Sequence, residues 1–205
     1  MDTIQAIYKR KSIRHFQDTE IDTAVFQKIL LAGIQAPSPK NDQPWRFFVV
    51  KDKIKQNKIS DILEVQLERI KEKNAIDGIY RADVISALES SRVLREASEL
   101  VFVCLDTSVY EVHDDHVEWP LYAKDAECTH IMSVGAAIQN MLLAATELGV
   151  DSLWIGDIFY AYNQLKMYLG IKECILAALA FGYHSVPEMT YKSQRKSFHE
   201  IVEFF

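Results

Sequence analysis

Arg10, Ser12 and Arg14 stand two residues apart in the segment RKSIR. Side chains of an extended chain alternate between two faces. Both guanidinium groups and the hydroxyl therefore share one face, with Lys11 and Ile13 on the other. That face suits a phosphate, offering two bidentate, charge-assisted donors around one short donor. A solvated basic patch is the plain alternative. A second polar concentration fills APSPKNDQPW, where Ser38, Asn41 and Gln43 lie in a loop stiffened by Pro37, Pro39 and Pro44. Proline lowers the entropic cost of holding one loop shape. Polar groups held rigidly can read the hydrogen-bonding edge of a heteroaromatic ring. The alternative is a turn-rich loop whose Trp45 plugs the mouth of the next strand. In GVDSLWIGD a short strand reaches Gly156, where backbone can approach a ligand closely, or where a strand simply ends. Arg195 and Lys196 form a late basic pair, able to complete an anion clamp with Arg10 and Arg14 or to stand as surface charge.

Other chemistries find less support. The chain has no GxGxxG, no GxxxxGK[ST] and no GxSxG, the fingerprints of dinucleotide, P-loop and α/β-hydrolase sites. The run HDDH, from His113 to His116, holds four possible metal ligands in what reads as a solvated acidic loop; no metal is expected. A net charge of −6 over 205 residues argues against nucleic-acid binding, which needs a basic face. Met1 leads into a polar sequence, so no secretory leader is expected. No uninterrupted apolar run reaches the roughly 18 residues that span a bilayer. The longest candidate, residues 131–148, is broken by Ser133, Gln139, Asn140, Thr146 and Glu147. Cys104, Cys128 and Cys174 are odd in number and widely spaced, which reads as reduced, buried thiols of a cytoplasmic protein.

The elements that must position these groups follow from periodicity. Residues 3–9 read as a short helix and 10–16 as extended chain. Asp22 caps a helix from 23 to about Gly33, carrying Val25, Phe26, Ile29, Leu30 and Ile34, with the glycine as terminator. Residues 45–50 form a strand. Residues 53–74 form a charged helix with one apolar stripe, and 74–97 a second helical stretch lacking a strong core pattern. Residues 100–105, LVFVCL, are a fully apolar strand, and 106–122 a polar excursion. Residues 126–148 form a long helix apolar nearly all round, fit for a core or a subunit interface. A strand at 152–155, a helix at 163–169 and a strand at 175–182 complete the body. Hairpin turns are scarce while strands and helices alternate. The expected architecture is one α+β domain over residues 1–205, a sheet wrapped by helices, with 53–97 as a helical excursion.

Taken in order, the four pieces resemble the FMN-dependent nitroreductases. RKSIR resembles that family's Arg-Arg/His-Ser-x-Arg motif, and PSPKNDQPW its Pro-Ser-Ser-x-Asn-x-Gln-Pro-Trp loop. GAAIQNMLLAATELGVDSLWIGD resembles its central helix and the segment facing the flavin. FGYHSV and QRKSFHEIV resemble its closing Gly-Tyr and Arg-Lys-Pro-x-x-Glu-Val pattern. The resemblance spans essentially the whole chain. It implies a mainly antiparallel central sheet flanked by helices, in a homodimer with two flavin sites at the interface. The proline loop would come from the partner subunit, and the long apolar helix would serve core and interface. It further implies FMN as cofactor, NADH or NADPH as hydride donor, and a small electron-poor acceptor such as a nitroaromatic or a quinone. The two would react in turn, without a dedicated catalytic side chain. Carried over by position, Arg10, Lys11, Ser12 and Arg14 would hold the FMN phosphate and ribityl chain, and Arg195 would close on the phosphate. Pro37, Ser38, Pro39, Asn41 and Gln43 would line the pocket. Trp154, Ile155 and Gly156 would bring backbone N–H groups to the flavin ring. The chain departs from the pattern at Pro39, in place of the second serine, and at Ser197, in place of proline. Ser193 stands where some members carry a basic residue. Residues 53–97 match no motif, and are expected to shape the substrate pocket. Rival readings keep the fold with another reaction (reductive dehalogenation, enoyl reduction, flavin destruction), make the chain an FMN store or sensor, or give His113 and His116 a metal.

Overall fold

All seven residues of the strand β2 (Glu99–Leu105) are buried, which places apolar layers on both faces of its sheet. The computed structural model describes residues 2–76, 82–109, 122–185 and 194–205. Its sheet has four strands in the order β1-β2-β4-β3, where β1 is Trp45–Val50, β3 is Asp151–Ile155 and β4 is Cys174–Gly182. Every neighbouring pair is antiparallel, with Phe48 opposite Phe102, Phe102 opposite Ala178, and Ile155 opposite Ala178 from the far side. The register shifts once, between Val103 and Cys104.

The two faces of β2 feed two cores. Leu100, Phe102 and Cys104 pack with Ala178, Ala180, Leu153 and Ile155 beneath the helices α3 (Lys53–Ile76) and α4 (Ala82–Glu96). Val101, Val103 and Leu105 pack with Ala177, Leu179 and Phe181 beneath α2 (Thr23–Ile34) and α5 (Tyr122–Glu147). The first core also takes α6 (Tyr162–Leu169), through Leu165. The short α1 (Thr3–Lys9) lies against α5, its N-terminus capped by Asp2, which accepts the Gln5 N–H at 2.8 Å. Asp22 caps α2 as its position foretells, accepting the N–H groups of Ala24 and Val25 at 2.9 and 3.0 Å.

Several local expectations are corrected. Gly33 does not stop α2, which runs on to Ile34. A Cβ there would lie 2.8 Å from Met141 Cγ, so the missing side chain lets α2 approach α5. The stretch 74–97 is not without a core pattern. Val84, Ala87, Val93 and Leu94 of α4 are sealed in the first core, facing Ile59, Leu63 and Leu67 of α3. The stretch Glu127–Glu147 is, by length and composition, long and apolar enough to cross a membrane, although its polar residues argued against such a run. It serves here as a core helix, with Val134, Ala137, Ile138, Met141 and Ala145 buried against the sheet. The thiols also differ. Cys104 is buried, and burial pushes its thiol up to about 12, while Cys174 is partly covered and Cys128 exposed.

Candidate functional site

The RKSIR segment is held by apolar anchors on either side of its polar residues. Ile13 and Phe16 are buried in the first core, and Arg10, Ser12 and Arg14 are left at the surface. Phe16 sits over Gly182, where a Cβ would come within 2.7 Å of its ring. Ser12 forms a parallel bridge to Ser152, and the Ile13 N–H donates to the Ser152 carbonyl at 3.1 Å. The segment thereby extends the sheet along the free edge of β3, four residues before Gly156. Arg10 and Arg14 have no carboxylate partner among the described residues, while exposed cations elsewhere, such as Arg46 and Arg95, are paired. Two unpaired guanidinium groups beside a hydroxyl are equipped to take an anion.

At the end of β3 the side chains of Leu153 and Ile155 point into the first core. Trp154 points the other way and keeps 45% of its surface exposed. Gly156 follows in right-handed conformation with φ −91°, so its backbone does not demand glycine. A Cβ built on it would meet nothing within 4 Å. The strand therefore opens onto free space at the point where a ring could lie against backbone. The helical turn after it, Asp157–Ala161, is fastened to α4. Ser90 Oγ donates to Asp157 Oδ2 at 2.5 Å, and Tyr160 Oη to Asp83 Oδ2 at 2.8 Å. The helical excursion thus braces the segment that follows Gly156, a link that sequence reading missed.

The proline loop is built on a different plan. Lys40, Asn41 and Gln43 have φ of 51°, 62° and 49°, left-handed values that cost a non-glycine residue roughly 1 kcal/mol or more each, asparagine least. The loop compensates with hydrogen bonds to itself. Ser38 Oγ accepts the Gln43 N–H at 2.9 Å, the Asn41 N–H reaches the Ser38 carbonyl at 3.1 Å, and the Asp42 N–H reaches that of Pro39 at 2.9 Å. Pro39 opens this turn at a position whose N–H would have no partner in the turn, so replacing serine with proline there loses no turn hydrogen bond. The Ser38 oxygen, expected to face a ligand, accepts one bond within the loop, which leaves its O–H to donate. The Asn41 side-chain amide makes no hydrogen bond among the described residues and is exposed. Outward ties join Asp42 Oδ2 to His130 Nε2 of α5 at 3.0 Å, and the Asp106 N–H to the Pro44 carbonyl at 2.8 Å. Trp45 is buried in the second core, an aromatic plug.

The structure brings Ser12 and β3 together, but not every expected group. The proline loop enters β1, at the opposite edge of the sheet from β3, with β2 and β4 between them. Three strand spacings amount to about 14 Å. Arg195 lies on the exposed tail and makes no hydrogen bond or ion pair with the Arg10–Arg14 segment. Positions 113, 116 and 193 lie outside the described residues. Among the described residues no cluster of three or more histidine, cysteine, aspartate or glutamate side chains could hold a metal ion.

Comparison with known proteins places this geometry. The family model described as the nitroreductase family matches residues 7–183. A protein of Archaeoglobus fulgidus named as an NADH dehydrogenase/NAD(P)H nitroreductase is 28% identical, over the whole of this chain and 93% of its own length. The solved BluB-like flavoprotein of Clostridium difficile 630 superposes with a TM-score of 0.77 at 27% identity, covering 100% of this chain and 99% of that one. A solved nitroreductase in complex with FMN from Desulfovibrio desulfuricans gives 0.70, also at 27% identity, covering 100% and 98%. The sheet with helices on both faces is the nitroreductase fold, and the chain belongs to the nitroreductase family.

Proposed function

We propose that this chain works in pairs, each flavin site drawing Arg10, Ser12, Arg14 and Gly156 from one copy and the proline loop from the other. The reaction we assign is transfer of hydride from NADH or NADPH to a nitroaromatic, a quinone or a similar electron-poor acceptor. Family membership and the relatives make the chain an NAD(P)H-dependent flavin oxidoreductase with FMN as its cofactor. Its residues fit that cofactor. The two unpaired arginines suit a phosphate monoester, and the open space before Gly156 leaves room for a flat ring system.

One observation carries the reading: the Ser12–Ser152 bridge, which lays the unpaired arginines against the strand that leads to Gly156. In this arrangement Arg10, Ser12 and Arg14 hold the phosphate and ribityl chain, with Lys11 alongside, and Arg195 joins them from the tail. The backbone of Trp154, Ile155 and Gly156 orients the ring and offers N–H groups to negative charge. The loop residues Pro37, Ser38, Pro39, Asn41 and Gln43 close the pocket, with the Asn41 amide free to bond a ring edge. Bound FMN supplies a two-electron relay that nicotinamide and acceptor use in turn, so no side chain needs to act as acid or base. The α3–α4 pair borders the acceptor's side of the pocket.

The partner's role is supported by topology and by surface. The two halves of the site lie at opposite edges of one sheet. Ile4, Ile7 and Tyr8 of α1, Leu31 of α2, Ile131 and Met132 of α5, and Phe198, Ile201, Phe204 and Phe205 of the tail are all exposed. Isolated exposed apolar residues are ordinary, but α1 and α2 both pack on α5, and the aromatics of the tail ask for a cover. A cytoplasmic setting belongs to the same proposal, since all three cysteines are free thiols.

The testing experiment is the visible absorption spectrum of the purified protein, followed anaerobically as NADH or NADPH is added. A flavin spectrum that bleaches is expected. A colourless protein that also fails to take up added FMN would sink the reading. The likeness to a BluB-like flavoprotein favours one rival, the same fold and cofactor with a different reaction. Steady-state turnover with a panel of nitroaromatic, quinone, halogenated and enoyl acceptors separates the two.

A further inference from the structure

We propose that Asp42 and His130 are a positioning pair for the proline loop, holding its left-handed backbone against α5 and thereby setting cofactor affinity without touching the cofactor. The inference rests on the FMN reading above and deepens it. His130 is 4% exposed and lies 88 residues from Asp42 in sequence, with Nε2 3.0 Å from Asp42 Oδ2. An imidazole buried this far is held for a reason, because its ring nitrogens are costly to bury without partners.

The loop's other bonds do different work. Those among Ser38, Pro39, Asn41 and Gln43 fix its internal shape and leave its position open. Its ends are tied by Ala36, buried in the second core, and by the Pro44 carbonyl at the end of β2. Between those ends stand three left-handed residues that relax to commoner conformations when nothing restrains them. Asp42, set among them, reaches α5 and restrains the middle. It flanks Asn41, whose amide is exposed and has no hydrogen-bond partner of its own among the described residues. Fixing Asp42 therefore fixes where that amide points. A loop that must be ordered on binding charges the ordering cost to affinity, and a loop ordered beforehand does not.

Two readouts on the cofactor-free protein test this: the rate of tryptic cleavage after Lys40, followed by mass spectrometry, and the affinity for added FMN, followed by quenching of its fluorescence. D42A is expected to be cut about tenfold faster and to bind FMN about tenfold more weakly, the factor for losing one charge-assisted hydrogen bond. H130A should reproduce both effects from the other side of the bond. D42N keeps an oxygen acceptor for the His130 N–H and should restore both values to near wild type. Thermal unfolding of each variant separates local loosening from global loss. Wild-type cleavage and wild-type FMN affinity in D42A would overturn the proposal, and so would faster cleavage with unchanged affinity. A wild-type protein that ignores FMN, while D42A still opens at Lys40, would keep the brace and remove the flavin assignment instead.

Discussion

The two edges of the sheet carry the two polar concentrations, and they are held by opposite means. Beside β3, the Arg10–Arg14 segment is fixed by apolar anchors, Ile13 and Phe16, and by one bridge to Ser152. Beside β1, the loop 38–43 is fixed by hydrogen bonds and tolerates three strained residues to make them. Apolar anchoring is strong and indifferent to direction, so it suits a segment whose charges are long and find their own anion. Hydrogen bonding is directional, so it suits a loop that must aim a short amide. The difference in construction matches what each edge would present in the proposed site.

The comparison can be broken most severely at Phe16. F16A removes the anchor packed over Gly182 and is expected to destabilise the fold by about 3–5 kcal/mol, read by urea denaturation. A loss below about 1 kcal/mol would mean that the segment is not held through the core. R14A should leave the denaturation midpoint nearly unchanged, because the side chain is exposed and unpaired, yet weaken FMN binding about 10- to 100-fold. Equal FMN affinity in R14A and wild type would return Arg14 to plain surface charge. K40G sharpens the contrast from the other edge. Glycine adopts φ near 51° at no steric cost, so stability should rise by up to about 1 kcal/mol, whereas a glycine at Arg14 should bring no gain. A separate effect concerns alkaline pH. The unfolded Cys104 thiol loses its proton near 9.0, while the folded one holds it to about 12. Its contribution to stability is therefore complete below pH 9 and is lost as pH rises from 9 towards 12. A C104A variant should lack that part of the alkaline decline in its denaturation midpoint.

Where one local rule decided a feature, the sequence showed it. Asp22 announced the start of α2, and the unbroken LVFVCL run announced an apolar strand, which the structure covers on both faces. The alternation around Ser12 set Ile13 on the face opposite Arg10, Ser12 and Arg14, and Ile13 is buried while Ser12 and Arg14 are exposed, although Lys11, set with Ile13, is exposed too. What stayed hidden depends on partners distant in the chain. Gly33 looks like a helix stop until Met141 is seen beside it. The core face of α4 leans on Ala87 and on neighbours from α3, so its pattern is faint when read alone. Ser38 has the chemistry of a ligand contact, and only the curled loop shows that its oxygen also accepts the Gln43 N–H. Asp42 and His130 lie 88 residues apart, and no spacing rule connects them. The tie of Ser90 to Asp157 spans 67 residues and was equally invisible.

The complete burial of β2 has a consequence for motion. Amide hydrogens exchange with solvent only as fast as their surroundings open, and those of β2, with strands on both sides and helices on both faces, should open only with the whole molecule. Among the described residues the outer strands β1 and β3 each pair with one strand of the sheet, and the proposed ligand-holding segments are attached to them. Such regions open locally at a fraction of the cost of global unfolding. The margins can thus open while the centre stays shut, and deuterium uptake should map as a slow core between two faster borders.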